Sequence, residues 1–167
     1  MIKNWIEAFR LRTLPLALAS IGMGSFLAAS KGKFDAEVLL WCLLTTVFLQ
    51  ILSNLANDYG DGVKGTDNED RIGPERAIQS GKISPDQMFY AIRINILISI
   101  GLAFLLIYSA FGVRYFVLTL VFLLLGMASI VAAIRYTVGG NAYGYRGLGD
   151  IFVFVFFGLL SVVGCYV

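Results

Sequence analysis

"AEVLLWCLLTTVFLQILSNLANDYGD", residues 36–61, begins as hydrocarbon and ends as a cluster of amides and carboxylates. At 1.5 Å rise per residue, about 20 apolar residues cross the core of a bilayer, so its first part predicts a membrane-spanning helix. If that helix continues past Ser53, then Asn54, Asn57, Asp58 and Asp61 fall at i, i+3, i+4 and i+7, on one face. One helix would then carry both the fold and a polar site.

The rest of the chain agrees with a membrane setting. Of 167 residues 58% are hydrophobic and 14% charged, against about 25% charged in soluble domains. Five apolar runs are long enough to span, roughly 13–30, 36–58, 85–111, 115–138 and 149–167. The expected fold is therefore all-α, a multi-pass transmembrane helical bundle forming a single integral membrane domain over 1–167, with polar loops at 59–84 and 139–148. Small residues such as Ala17, Gly22 and Gly24 in the first span, and Gly126, Ala128 and Ala132 in the fourth, suit close helix packing. Ahead of the first span, Ile2, Trp5, Ile6 and Phe9 recur at helical spacing, which predicts a short helix on the membrane surface with its tryptophan at headgroup level. Cys42 and Cys165 lie inside spans and read as small buried hydrophobes.

Charge sets the orientation. Ten of the thirteen basic residues fall on the N-terminal side of the membrane, leaving only Lys31, Lys33 and Arg114 on the other. The excess of Lys and Arg places the N-terminus and both polar loops in the cytoplasm. No basic face accompanies the charge, so nucleic acid is excluded as a partner.

Residues 54–84, "NLANDYGDGVKGTDNEDRIGPERAIQSGKIS", hold six of the eleven acidic residues. Acids near a helix C-terminus are disfavoured by the macrodipole, so a cation should compensate them. Hard oxygen donors from Asn54, Asn57, Asp58 and Asp61, with Asp67, Glu69 and Asp70 in the loop, suit Mg²⁺. The spacing is not that of a calcium EF-hand. Lys64, Arg71, Arg76 and Lys82 supply the cationic half, and arginine forks bind phosphate bidentately, which makes a diphosphate cradle. A solvated loop with internally paired charge is the alternative. The glycines at 60, 62 and 65 are expected to loosen the backbone after the acidic face, and Ser84, Pro85 and Gln87 form a capping box that starts the next helix.

This stretch resembles the first aspartate-rich motif of the UbiA superfamily of intramembrane aromatic prenyltransferases, in particular the branch that prenylates 1,4-dihydroxy-2-naphthoate in menaquinone synthesis. "YTVGGNAYGYRGLGD", residues 136–150, resembles that family's next cytoplasmic loop. The resemblance implies Asn57 and Asp61 as metal ligands, with Gly65 standing where the family has its next aspartate and Asp58 or Asp67 replacing it. It implies Asp61, Asp58 and Arg76 as catalytic, and Arg76, with Lys64 and Arg71, as the grip on a polyprenyl diphosphate. Tyr136, Tyr143, Tyr145 and Arg146 would orient an acidic aromatic acceptor. Asp150, an acid at the mouth of an apolar span, joins them or caps its helix.

The same resemblance implies Mg²⁺ as cofactor and a multi-pass protein of a bacterial inner membrane. It also implies a second aspartate-rich motif in a C-terminal half, so the 167 residues are expected to be five of about nine spans and inactive alone. Other acceptors in the superfamily, 4-hydroxybenzoate or a tetrapyrrole alcohol, stay open. A cation channel or transporter subunit would instead place ionisable residues near mid-bilayer.

Overall fold

The computed structural model describes residues 2–67 and 73–166. Its helices are α1 (Ile2–Phe9), α2 (Leu14–Ser30), α3 (Ala36–Lys64), α4 (Pro85–Phe111), α5 (Phe116–Arg135) and α6 (Gly149–Tyr166). There is no strand among the described residues. Five helical segments are long and apolar enough to cross a membrane, the first running from Ile2 to Ser30 through a break at Arg10. The chain is an integral membrane protein with an all-α bundle fold.

Helix α3 is the axis of the bundle. It starts at Asp35, whose carboxylate accepts from Glu37 N and Val38 N, the usual way of satisfying the first free amides of a helix. It ends at Gly65, whose φ of 69° is the left-handed cap geometry a glycine supplies without strain. Between these ends, Ile51, Leu52, Leu55 and Ala56 pack with Met88 and Ile92 of α4, Ala77, Ile83 and Ala8 to form the core. α4 opens on the capping box expected of it, Gln87 N donating to Ser84 Oγ and Ser84 N to Gln87 Oε1.

Two expectations need correction. Residues 59–64 are not loop: α3 runs six residues past 58. Its glycines do not loosen it, because they are where neighbours come closest. A Cβ on Gly60 would lie 2.5 Å from Thr137 Oγ1, and one on Gly62 would lie 2.6 Å from Ile78 Cγ2. Thr137 Oγ1 also donates to Ala56 O at 3.0 Å, so the 136–148 segment is pinned to α3 through the gap the glycine leaves. Trp5 and Phe9 of α1 pack against the core and Ala8 is buried, while Ile2 and Ile6 point outward. The apolar period of α1 thus feeds a helix contact first.

The remaining helices complete the wall. Ala17, Ile21, Gly24 and Ala28 form the buried stripe of α2, and Gly24 faces Val162 and Cys165 of α6 so closely that any side chain there would collide, the small-residue packing typical of membrane helices. In α6, Phe154–Leu160 widens into a π-helical stretch, and Ser161 Oγ reaches back to Phe156 O at 2.7 Å. Large side chains such as Phe104, Leu120, Met127 and Phe154 face outward, as lipid contact requires.

Candidate functional site

The C-terminal end of α3, the turns at 73–83 and 136–148, and the break between α1 and α2 meet at one end of the bundle. They enclose a cavity of about 360 Å³ lined by Asn54, Asn57, Asp61, Arg76, Tyr145 and Arg10. Ser53 and Tyr136 line it too, and the same two residues line a second, mostly apolar cavity of about 460 Å³ that runs between α2, α3, α4, α5 and α6. A polar chamber therefore abuts a hydrocarbon chamber.

Arg76 is the hub of the polar chamber. Its guanidinium donates to Asn57 Oδ1, lies 3.6 Å from Asp61 Oδ2 and 3.5 Å from Asp67 Oδ2, and its side chain is mostly buried. The other oxygen of Asp61 accepts from Tyr145 at 2.5 Å and from Thr66 at 3.2 Å. Burial first, and then the bond to Asp61, push the Tyr145 phenol up to about 12, so it stays a donor through the neutral range. Lys64, the last residue of α3, sits 4.2 Å over the Tyr145 ring and donates to Thr137 O at 2.9 Å. It holds the second loop and does not line the chamber.

Asn54 lines the chamber but spends its amide nitrogen outside it, and Asp58 is elsewhere than expected. Asn54 turns its amide nitrogen to Phe9 O at 2.9 Å and Thr13 Oγ1 at 3.1 Å, tying the α1–α2 break to α3. Asp58, 1% exposed, accepts from Ala77 N at 3.2 Å and Ile78 N at 3.4 Å and lines no part of the chamber. For Asp58 the physical reason is angular: at about 100° per residue it sits at the edge of the arc, about 60° from Asp61 and about 100° from Asn57, and so faces a different neighbour. Asp58 clamps the turn that follows Arg76, so it holds the guanidinium in place without touching what the chamber contains.

The second loop divides in the same way. Tyr143 donates to Ala132 O at 2.9 Å and stacks on Phe152 at 3.9 Å between ring centres; burial raises its phenol to about 12. It serves as a wall of the apolar cavity. Tyr145 reaches the chamber, whereas Arg146 is exposed at the surface and lines neither cavity. Asp150 is at the mouth of the apolar cavity in the first turn of α6, where the helix dipole favours a carboxylate; the N-cap is Leu148. Arg71, Glu69 and Asp70 lie outside the described residues. Arg10, read from the sequence only as a topology charge, enters the chamber and donates to Asn57 Oδ1 at 3.2 Å. Its backbone break, φ 50° and ψ 53°, left no mark in the sequence.

Among the described residues no three acidic, cysteine or histidine side chains cluster as a ready-made metal centre. Arg76 does gather one amide and two carboxylates, Asn57 and Asp61 in the chamber and Asp67 beside it. That donor set, short of a full shell, is what a divalent cation sharing phosphate oxygens and water requires.

The family model described as "UbiA prenyltransferase family" matches residues 16–167. The chain is 52% identical over 97% of its length to 1,4-dihydroxy-2-naphthoate octaprenyltransferase of Escherichia coli, of which it covers 52%. It is 50% identical over 99% of its length to the protein of that name from Haemophilus influenzae, covering 54%, and 36% identical over 96% to that from Mycobacterium leprae, covering 52%. The chain thus spans about half the length of the curated relatives it matches. No solved structure matches it.

Proposed function

Because the chain belongs to the UbiA prenyltransferase family, we propose that it is part of an enzyme that moves a polyprenyl group from its diphosphate onto 1,4-dihydroxy-2-naphthoate, with loss of the ring carboxylate. The observation that carries this reading is the junction of the two cavities. A substrate with an anionic head and a long hydrocarbon tail fits a chamber holding Arg76 that abuts an apolar one at Ser53 and Tyr136. The relatives named for that reaction supply the acceptor.

In the reaction, the allylic C–O bond breaks and diphosphate leaves with its electron pair. The ring carbon bearing the carboxylate forms the new C–C bond, and loss of CO₂ returns electrons to the ring. Little proton chemistry is asked of the protein, which agrees with a chain that has no histidine. Its work is electrostatic: donors fixed where charge develops stabilise the leaving group. Arg76, held by Asp58 through the turn behind it, presents a guanidinium to the departing oxygens. Tyr145 fixes the orientation of Asp61 by its hydroxyl bond, and Tyr136 and Tyr143 wall the apolar side against water.

Asn57, Asp61 and Asp67 are the residues that would hold Mg²⁺, and the ion would neutralise diphosphate charge as a Lewis acid. Arg76, now paired with the acids, would then serve the diphosphate. We assign Asn54 and Asp58 no ligand role. The ten-to-three excess of basic residues on this side supports a cytoplasmic site, and the bacterial sources of the relatives support an inner membrane. The relatives are about twice as long as this chain, which leaves room for the second aspartate-rich motif that the family resemblance implies.

The test uses the complete gene product in membranes, with labelled polyprenyl diphosphate and either 1,4-dihydroxy-2-naphthoate or 4-hydroxybenzoate. Mg²⁺-dependent transfer to the naphthoate with CO₂ release is expected. Transfer to 4-hydroxybenzoate alone would move the protein to another branch, and transfer to neither would end the enzyme reading.

A further inference from the structure

We propose that Arg10 is a second diphosphate-binding residue, delivered to the chamber by the break between α1 and α2. The inference rests on the diphosphate reading of the chamber. Arg10 is the one non-glycine with positive φ among the described residues, a conformation that costs an L-residue about 1 kcal/mol or more and persists only where the surroundings impose it.

Those surroundings can be named. Asn54 donates to Phe9 O on one side of the break and to Thr13 Oγ1 on the other, and Gln50 adds a second donor to Thr13 Oγ1 at 3.1 Å. Thr13 N and Oγ1 both return to Arg10 O at 2.9 Å. Ala8, Trp5 and Phe9 press the preceding helix on Ile51, Leu52 and Leu55. The side chains that bond Phe9 and Thr13 on either side of the break thus come from α3, the helix that carries Asn57 and Asp61. The amide of Asn54 acts in this strap.

The strap delivers a guanidinium. Arg10 Nη1 donates to Asn57 Oδ1, the same oxygen that takes a bond from Arg76, one arginine coming from the α1–α2 break and the other from the 73–83 turn. Two guanidinium groups converging on one oxygen is the arrangement in which arginines grip an oxyanion between them. Arg12, two residues on, is exposed and does not line the chamber, so proximity in sequence is not enough.

The experiment compares Arg10→Ala, Arg10→Gln, Arg10→Lys and Arg12→Ala in the complete protein. It measures KM for prenyl diphosphate, KM for the aromatic acceptor, inhibition by inorganic diphosphate, and direct binding of inorganic diphosphate by calorimetry. Arg10→Ala and Arg10→Gln should raise KM for the prenyl diphosphate and weaken inorganic diphosphate binding together by about tenfold to a hundredfold, the loss of one charge-assisted hydrogen-bonded contact. KM for the acceptor should not move, Arg10→Lys should recover part of the loss, and Arg12→Ala should match the parent.

If Arg10→Ala does not fold, the Gln and Lys variants decide. Unchanged diphosphate binding in a folded Arg10 variant overturns the proposal, as does a change confined to the acceptor. A parent protein that binds diphosphate through Arg10 yet transfers nothing would instead overturn the prenyltransferase reading.

Discussion

Asp58 and Asp61 stand one turn apart on the same helix, and the two flanks of α3 that they face differ in kind. Asp58 is sealed against the 73–83 turn, and its hydrogen-bond partners are backbone amides of Ala77 and Ile78, with Arg10 close enough to act on it electrostatically. Asp61 looks into a chamber, and its partners are side chains, Arg76, Tyr145 and Thr66. Backbone partners cannot leave without unfolding the turn, whereas side-chain partners can rotate away when a ligand takes their place. A carboxylate's identity is therefore a poor guide to its role in this protein, and the mobility of its donors is a better one.

The sharpest contrast is in activity. Asp61→Asn should cut transfer by about a thousandfold, the scale on which a charge-stabilising group at the reacting centre acts, while thermal unfolding in detergent stays close to that of the parent. Asp58→Ala should do the reverse in its primary effect: two buried N–H groups lose their acceptor, which costs about 2–4 kcal/mol, read as a lowered unfolding midpoint. Any loss of transfer by that variant should appear in KM for the diphosphate, through a displaced Arg76.

Gly60→Ala tests whether the two flanks are locked together. The added methyl meets Thr137 Oγ1 and backbone, and overpacking of this kind costs about 1–3 kcal/mol; both stability and transfer should fall, since the loop bearing Tyr145 would shift. Tyr145→Phe should have the smallest effect, about a three- to tenfold drop in transfer for one lost hydrogen bond.

Tyr145 also has a pH signature. Its phenol is raised to about 12 by burial and by Asp61. A raised pKa means the folded state holds the proton more tightly, so this contribution is complete below the ordinary phenol value near 10 and is lost between about 10 and about 12. The stability difference between parent and Tyr145→Phe should be flat from about pH 7 to 9 and shrink above 10.

Much of the bundle could be read in the residues. Apolar runs long enough to span announce themselves, and Ser84–Gln87 announces a helix start by its own side chains. The chamber was legible in Asn57, Asp61 and Arg76 because oxygen donors and an arginine fork are the chemistry a diphosphate needs. Three features were not legible. Gly60 and Gly62 read as flexibility, since nothing local says that Thr137 and Ile78, more than a dozen residues away, will fill the space of their missing side chains. Asp58 read as a ligand, since its amide partners are set by tertiary contact. Arg10 read as a topology charge, since its left-handed backbone is imposed by Asn54 and Gln50 from α3.

The division between the two flanks is tested most directly by titrating Mg²⁺ in the transfer assay with the complete parent protein, Asp61→Asn and Asp58→Asn. Asp61→Asn should need at least about tenfold more Mg²⁺ for half-maximal rate, a shift of one lost ligand interaction of about 1.4 kcal/mol. Asp58→Asn should keep the parent's Mg²⁺ dependence while unfolding at lower temperature. A shift in Mg²⁺ dependence for Asp58→Asn as large as that for Asp61→Asn, with no loss of stability, would contradict the account.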